Sequence, residues 1–97
     1  MSEMALFFKV TLKDGCVDDF LAAVEPVAAA ARDNEPGTLE YRIHTADGNV
    51  VWFYERYADE AAMAVHAQSP EIAELFGKVG SMIEGAPEMQ PGTGVDL

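Results

Sequence analysis

The sequence has few basic residues and few cysteines, and both shortages exclude classes of protein. Six Lys and Arg residues stand against seventeen Asp and Glu residues, which gives a formal net charge of −11. Such a chain can neither neutralise nucleic-acid phosphates nor offer a basic patch to an anionic membrane. A single cysteine, Cys16, excludes an internal disulfide and a multi-cysteine metal site. We therefore expect neither nucleic acid nor a membrane among its partners.

Long apolar runs and several catalytic motifs are also missing. No apolar stretch approaches the roughly 20 residues that span a bilayer, and the N-terminal stretch lacks the basic and apolar regions of a signal peptide. A glycine-rich phosphate loop, an H-E-x-x-H helix and a G-x-S-x-G turn are all absent. The two histidines have no carboxylates at ligand spacing. We predict a cytoplasmic protein that uses no metal and no cofactor.

The 97 residues have the patterning of one α+β domain. Apolar residues alternate in some segments, as in strands, and recur every three or four residues in others, as in helices. The predicted strands cover residues 4–12, 38–45, 50–57 and, weakly, 88–90. The predicted helices cover residues 17–34, a segment from 60 and a second segment from 70. This order predicts a ferredoxin-like split βαβ fold with an antiparallel sheet, in which residues 84–97 form an edge strand and an arm.

Local signals mark the ends of the predicted helices. Asp59 is a suitable N-cap for the second helix, and Ser69 followed by Pro70 is typical of the start of the third. Pro26 lies inside the first helix without an N–H to donate, so we expect a kink or a break there. Helices cover one face of the sheet. The other face is also apolar, and the simplest cover for it is the same face of a second copy.

The hairpin between the second and third strands sets which side chains share a face. Asp47-Gly48 suits a two-residue type I′ turn. This loop would place Tyr41 opposite Tyr54 and Ile43 opposite Trp52 on one face of the sheet. The other face would then carry Arg42, His44, Phe53, Glu55 and Tyr57. A register shifted by one residue would exchange these assignments.

Two histidines and one glutamate are the candidate catalytic residues. His66 lies on the apolar side of its helix, where it could be a general base or a buried histidine that fixes the helix to the sheet. His44 could be a second proton acceptor or an ordinary residue near the end of a strand. Glu55 lies between aromatic neighbours and, if buried, needs Arg42, His66 or a tyrosine hydroxyl as a partner.

Aromatic residues are dense in the hairpin. They could line a pocket for a flat aromatic ligand, or they could serve only to pack the sheet. The predicted substrate contacts are Tyr41, Trp52, Tyr54, Tyr57 and Phe76.

Several short motifs resemble the antibiotic biosynthesis monooxygenase domain family when taken in order. They are Glu35-Pro36-Gly37, Tyr41, Glu55-Arg56-Tyr57, His66 nine residues later and Ser69-Pro70. The resemblance runs from Met4 to about Met89. It implies a dimeric α+β barrel, in which two ferredoxin-like subunits pack sheet to sheet, with a pocket between the sheet and the helices of each subunit.

The resemblance also implies a choice of activities. Characterised members include quinol and anthrone-type monooxygenases that use dioxygen without flavin, haem or metal. An isomerase of a phosphorylated signalling sugar derivative belongs to the same family, and other members have no known activity. Relatives that degrade haem ligate the iron with a histidine at the position that Phe76 occupies here, so we do not expect haem degradation.

The leading hypothesis is a monooxygenase that oxidises a small phenol or quinol with dioxygen. The substrate ring would lie among Trp52, Tyr54 and Tyr57, and His66 or His44 would take the proton. Glu55 would orient the histidine. The alternatives are an isomerase of a small carbonyl compound, with its phosphate held by Arg42 and Arg56, and a dimeric barrel that binds a small ligand without catalysis.

Overall fold

The protein has an α+β ferredoxin-like fold, which confirms the predicted class. The computed structural model describes residues 2–97, in which four strands and three α-helices follow in the order βαββααβ. The strands are β1 (Met4–Thr11), β2 (Thr38–Ala46), β3 (Val50–Tyr57) and β4 (Glu88–Thr93). The helices are α1 (Val17–Asn34), α2 (Glu60–Ala67) and α3 (Pro70–Val79), and a 3₁₀ turn at Gly80–Met82 follows. None of the helices within residues 2–97 is long and apolar enough to cross a membrane.

The four strands form one antiparallel sheet in the order β2-β3-β1-β4. The helices pack on one face of this sheet, and we call the opposite face the outer face. The core lies between the sheet and the helices, and its members are Val10, Leu12, Phe20, Val24, Val27, Val51, Phe53, Leu75 and Val79. The edge strand β4 extends three residues beyond the predicted segment, from 90 to 93, and pairs with β1.

Helix α1 runs without interruption through Pro26, so the predicted break is wrong. Proline removes the hydrogen bond to the carbonyl of Ala22, four residues earlier. Both residues are exposed, so water can satisfy that carbonyl. Phe20, Val24 and Val27 are buried on the opposite side of the helix and hold both of its halves against the core.

The hairpin register differs by one residue from the predicted register. The loop contains three residues, Asp47 to Asn49, because Gly48 and Asn49 both adopt the left-handed conformation with φ of 80° and 62°. Tyr41 consequently lies opposite Glu55, and His44 lies opposite Trp52. Since side chains alternate along a strand, the shift places Trp52 and Tyr54 on the outer face, away from Tyr41.

The predicted starts of α2 and α3 are confirmed by their capping bonds. The backbone N–H of Ala62 donates to Asp59 Oδ1 at 2.8 Å. The N–H of Ile72 donates to Ser69 Oγ at 3.3 Å, and Pro70 is the first helical residue. These caps satisfy backbone donors that the first turn of a helix leaves free.

Candidate active site

A cavity of about 500 Å³ lies between the sheet and the helices. Its walls are almost entirely apolar. The sheet contributes Leu6, Phe8, Val10, Tyr41, Phe53, Glu55, Met89 and Pro91. The helices and the segments that flank them contribute Phe20, Met63, His66, Ala67, Ile72, Leu75, Phe76, Val79, Ile83 and Pro87. A volume of this size suits a small organic ligand.

His66 lies at the polar end of this cavity and is held by a carboxylate. The residue is 4% exposed, and its Nδ1 is 2.7 Å from Oε1 of Glu35, which is also buried. The hydroxyl of Thr38 donates to the same oxygen at 3.0 Å. An ionised carboxylate can only accept hydrogen bonds, so the imidazole donates through Nδ1–H. In neutral His66 the unprotonated nitrogen is therefore Nε2.

Glu55 occupies the other side of the imidazole. Its Oε1 is 3.7 Å from His66 Nε2, beyond hydrogen-bond distance, and it accepts a hydrogen bond from the Tyr57 hydroxyl. Glu55 and His66 both line the cavity. Burial raises the pKa of Glu55, although the Tyr57 hydroxyl and His66 oppose the shift.

Two tyrosines flank the imidazole. The ring of Tyr41 is centred 5.1 Å from that of His66, and the ring of Tyr57 is centred 5.6 Å from it. Burial raises the pKa of both phenols, and the nearby Glu55 carboxyl raises each further. Both tyrosines therefore stay neutral over the physiological range, and they pack against His66 without competing for its protons.

A close packing contact brings Glu35 to His66. Glu35 follows the last residue of α1, and its carbonyl accepts from the N–H of Thr38 at 3.0 Å to form a turn. A Cβ atom placed on Gly37 would lie 2.5 Å from the Cβ of Ala62 in α2. Only glycine allows the turn to approach α2 this closely. This contact sets the distance between the Glu35 carboxylate and the helix that carries His66.

The structure brings some of the predicted site residues together and separates others. His66, Glu55, Tyr41 and Phe76 all line the cavity. Tyr57 lies behind Glu55 and is fully buried.

Three predicted residues lie on the outer face instead. They are His44, Trp52 and Tyr54. The expectation that Trp52 and Tyr54 hold one ring together with Tyr57 is wrong for a single subunit, because the alternation of side chains turns them to the opposite side of β3. Trp52 is 43% exposed, and the ammonium of Lys9 lies 5.5 Å from its ring centre. His44 is exposed and distant from the cavity face, in keeping with the ordinary role near a strand end.

Glu35 is the residue that sequence reasoning missed. In the sequence, Glu35-Pro36-Gly37 is one motif of the family resemblance, and no role is predicted for the Glu35 carboxylate. A carboxylate directly after a helix C-terminus is disfavoured by the helix dipole, and that local cost was the signal for a second role. The structure gives Glu35 the orienting contact to the imidazole that the sequence analysis assigned to Glu55.

Known structures share this architecture over nearly the whole chain. A protein from Caulobacter crescentus, described as a candidate antibiotic biosynthesis monooxygenase, is 21% identical and superposes with a TM-score of 0.93 over 98% of this chain and 92% of its own. A protein of the same description from Nitrosomonas europaea is 16% identical, with a TM-score of 0.89 over 96% and 90% of the two chains. Rv0793 from Mycobacterium tuberculosis is 21% identical, with a TM-score of 0.88 over 99% and 98%. At these identities the likeness establishes the fold.

Sequence comparison establishes the family. A search of curated proteins found no match to the chain. The family model described as Antibiotic biosynthesis monooxygenase, however, matches residues 4–78, from the start of β1 almost to the end of α3. That range includes Glu35, Glu55 and His66. The chain therefore belongs to the antibiotic biosynthesis monooxygenase family.

Proposed function

We propose that this protein is a cofactor-independent monooxygenase that oxidises a small phenol, quinol or anthrone-type aromatic with dioxygen. The observation that carries the proposal is the arrangement of His66. Its Nδ1 is bonded to a buried carboxylate, which leaves Nε2 as the proton acceptor, and the residue lines an apolar cavity. A base in such a position can remove a proton from a bound aromatic. The family of the chain agrees with this activity.

The first step is a proton transfer to Nε2. Deprotonation of a quinol hydroxyl, or of the acidic CH₂ group of an anthrone, gives an anion that is readily oxidised. Glu35 stabilises the imidazolium that forms, because its carboxylate accepts from Nδ1–H. General base catalysis of this kind contributes roughly 10²–10⁴-fold to the rate. Apolar walls around the anion exclude water from the reactive intermediate.

The redox chemistry needs only the substrate and dioxygen. The anthrone carbanion passes one electron to dioxygen, and the carbon radical and superoxide then combine to form a C–O bond. The resulting peroxide anion takes the proton back from the imidazolium. Loss of the second C–H proton to His66 forms the carbonyl and breaks the O–O bond, and the hydroxide released leaves with that proton as water. The products are a quinone that carries one oxygen atom from dioxygen, and one water molecule.

Glu55 has a different role in this proposal from the predicted one. Its oxygen lies 3.7 Å from Nε2, so a small shift allows it to exchange a proton with the imidazole. The Tyr57 hydroxyl holds the carboxyl in place by donating to it. Glu55 thus acts as a proton store next to the base, while Glu35 orients the ring.

Oxygen uptake by the metal-stripped protein, measured with hydroquinones and anthrones, tests the proposal. We expect uptake above autoxidation, with ¹⁸O from labelled dioxygen in the product. His66→Ala should lower the rate by about 10²–10⁴-fold, and His44→Ala is the matched control on the outer face. A loss confined to His44→Ala would refute the choice of base. No uptake across the panel would refute the monooxygenase itself.

We also propose that the subunit works as a homodimer through its outer face. Phe7 and Trp52 on this face are 46% and 43% exposed, and Tyr54 packs beside Phe7 with ring centres 5.5 Å apart. A contiguous aromatic surface of this kind is typical of an interface. Light scattering should give the mass of a dimer, and Trp52→Glu should shift it towards the monomer. A monomeric wild type would contradict this arrangement.

The cytoplasmic location stays a prediction.

A further inference from the structure

Within the described residues, the cavity lining includes an acidic side chain but no lysine or arginine. Glu55 lines it, and Glu35 lies directly behind His66. Over residues 2–97, no lysine or arginine contributes to the cavity walls. An anionic ligand that entered would lose its hydration and meet carboxyl groups in place of a cation.

All six Lys and Arg residues lie outside the cavity, and five of them pair with carboxylates. Arg56 contacts Glu3 and Glu40, and Arg42 contacts Glu40, all at the outer face or its edge. The remaining ion pairs of basic residues are Lys9–Glu88, Arg32–Asp33 and Lys78–Glu74. Arg42 and Arg56 are the two residues that the isomerase hypothesis required as phosphate anchors. The sheet separates both of them from the cavity of their own subunit.

The mouth of the cavity is apolar as well. Phe76 on α3 and Met89 on β4 both line the cavity and are 61% and 59% exposed, so they form its rim. An approaching ligand meets these two side chains before it reaches His66. The formal net charge of −11 adds a long-range repulsion of anions.

We infer that the cavity selects an uncharged aromatic that carries a hydroxyl group, and that it rejects carboxylate, sulfonate and phosphate derivatives of the same ring. This inference rests on the proposed function for the location of the site. It narrows the substrate to a neutral molecule whose single polar group meets His66 and Glu55. It also excludes a phosphorylated substrate from the cavity of this subunit.

Calorimetric titration with a matched ligand series tests the inference. The series is 2-naphthol, naphthalene-2-sulfonate and 2-naphthyl phosphate, titrated without oxygen at neutral pH and constant ionic strength. We expect 2-naphthol to bind and both anions to bind at least about tenfold more weakly, because an unpaired charge is costly to bury. An anion that binds as tightly as 2-naphthol would overturn the inference. Failure of 2-naphthol to bind would overturn it too.

A pair of rim variants shows whether the ligands enter this cavity. Phe76→Lys places a cation at the mouth, and Phe76→Gln is its uncharged control. Relative to Phe76→Gln, the lysine variant should bind both anions several-fold more tightly and 2-naphthol equally well, because an added cation offsets only the charge penalty. Equal anion affinities in the two variants would overturn the inference.

The titrations separate this inference from the proposed function. Selective binding of 2-naphthol by a protein that shows no oxygen uptake would support the inference and refute the monooxygenase. Oxygen uptake that prefers sulfonated or phosphorylated quinols would support the monooxygenase and refute the inference.

Discussion

Replacing Glu35 with glutamine tests the orientation of His66 most directly. The substitution keeps the size of the side chain and removes its charge. Glu35 Oε1 lies 2.7 Å from His66 Nδ1 in a buried setting. Hydrogen bonds to charged groups contribute about 1.5–3 kcal/mol and neutral ones about 0.5–1.5 kcal/mol. Glu35→Gln should therefore weaken the preference for Nδ1–H by about 1–2 kcal/mol, a factor of about 5–30 in the tautomer ratio.

Nitrogen-15 NMR of the imidazole measures this ratio without any substrate. In neutral His66 of the wild type, we expect the hydrogen on Nδ1 and a free Nε2, and in Glu35→Gln we expect the Nε2–H form to increase. Oxygen uptake should fall by about 5–30-fold, because the imidazolium formed in the first step loses about 1–2 kcal/mol of stabilisation when its hydrogen-bond partner is uncharged.

Thr38→Val is the matched control for Glu35→Gln. It removes the other hydrogen bond to Glu35 Oε1, the 3.0 Å contact from the Thr38 hydroxyl, and leaves the charge in place. Both variants should lose stability, but only Glu35→Gln should change the tautomer. A neutral wild-type imidazole protonated on Nε2 would refute the proposed orientation of His66. Equal losses of oxygen uptake in the two variants would show that Glu35 has only a structural role.

Three further predictions concern stability. Burial raises the pKa of Glu55 in the folded state, so its contribution is greatest at low pH and is lost as pH rises through that folded-state value. In urea unfolding, the stability advantage of wild type over Glu55→Gln should therefore grow as pH falls through the folded-state pKa towards the unfolded-state value of about 4.3; a pH-independent difference would contradict the shift. Gly37→Ala should lower the free energy of unfolding by about 1–3 kcal/mol, because the added Cβ overpacks against Ala62. In urea unfolding, the double variant Gly37→Ala/Ala62→Gly should recover part of that loss. No recovery would show that the strain lies elsewhere. Asp59→Ala should cost about 1 kcal/mol by loss of the N-cap, seen as a lower melting temperature; an unchanged melting temperature would show that the cap contributes nothing.

The register of the hairpin could not be predicted from the local sequence. The Asp47-Gly48 dipeptide favours a two-residue turn, yet Asn49 also adopts a positive φ and lengthens the loop to three residues. Asparagine tolerates this conformation, so both loops were compatible with the local sequence. Burial of Phe53 and Glu55 against the helices decided between them, and that choice moved Trp52 and Tyr54 out of the site.

The sequence predicted some residues of the site but not the contact that orients His66. His66 was identifiable because a lone histidine on the apolar side of a helix is unusual, and Glu55 because a carboxyl between aromatic neighbours needs a partner. The contact of His66 with Glu35 joins residues 31 positions apart in the chain. No local pattern encodes such a pair, because it depends on how closely the Glu35–Thr38 turn packs against α2.

The sequence by itself determined the secondary structure and the order of its elements. The alternation of apolar residues in strands, their helical spacing and the caps at Asp59 and Ser69 each act over a few residues. The secondary structure of each segment is therefore specified by its local sequence. Only the tertiary structure decided which face of the hairpin meets the helices, whether Pro26 breaks its helix, and which carboxylate holds His66. Those outcomes depend on which groups are buried together when distant segments pack. The free energy of that burial is set by the tertiary structure, not by any one segment.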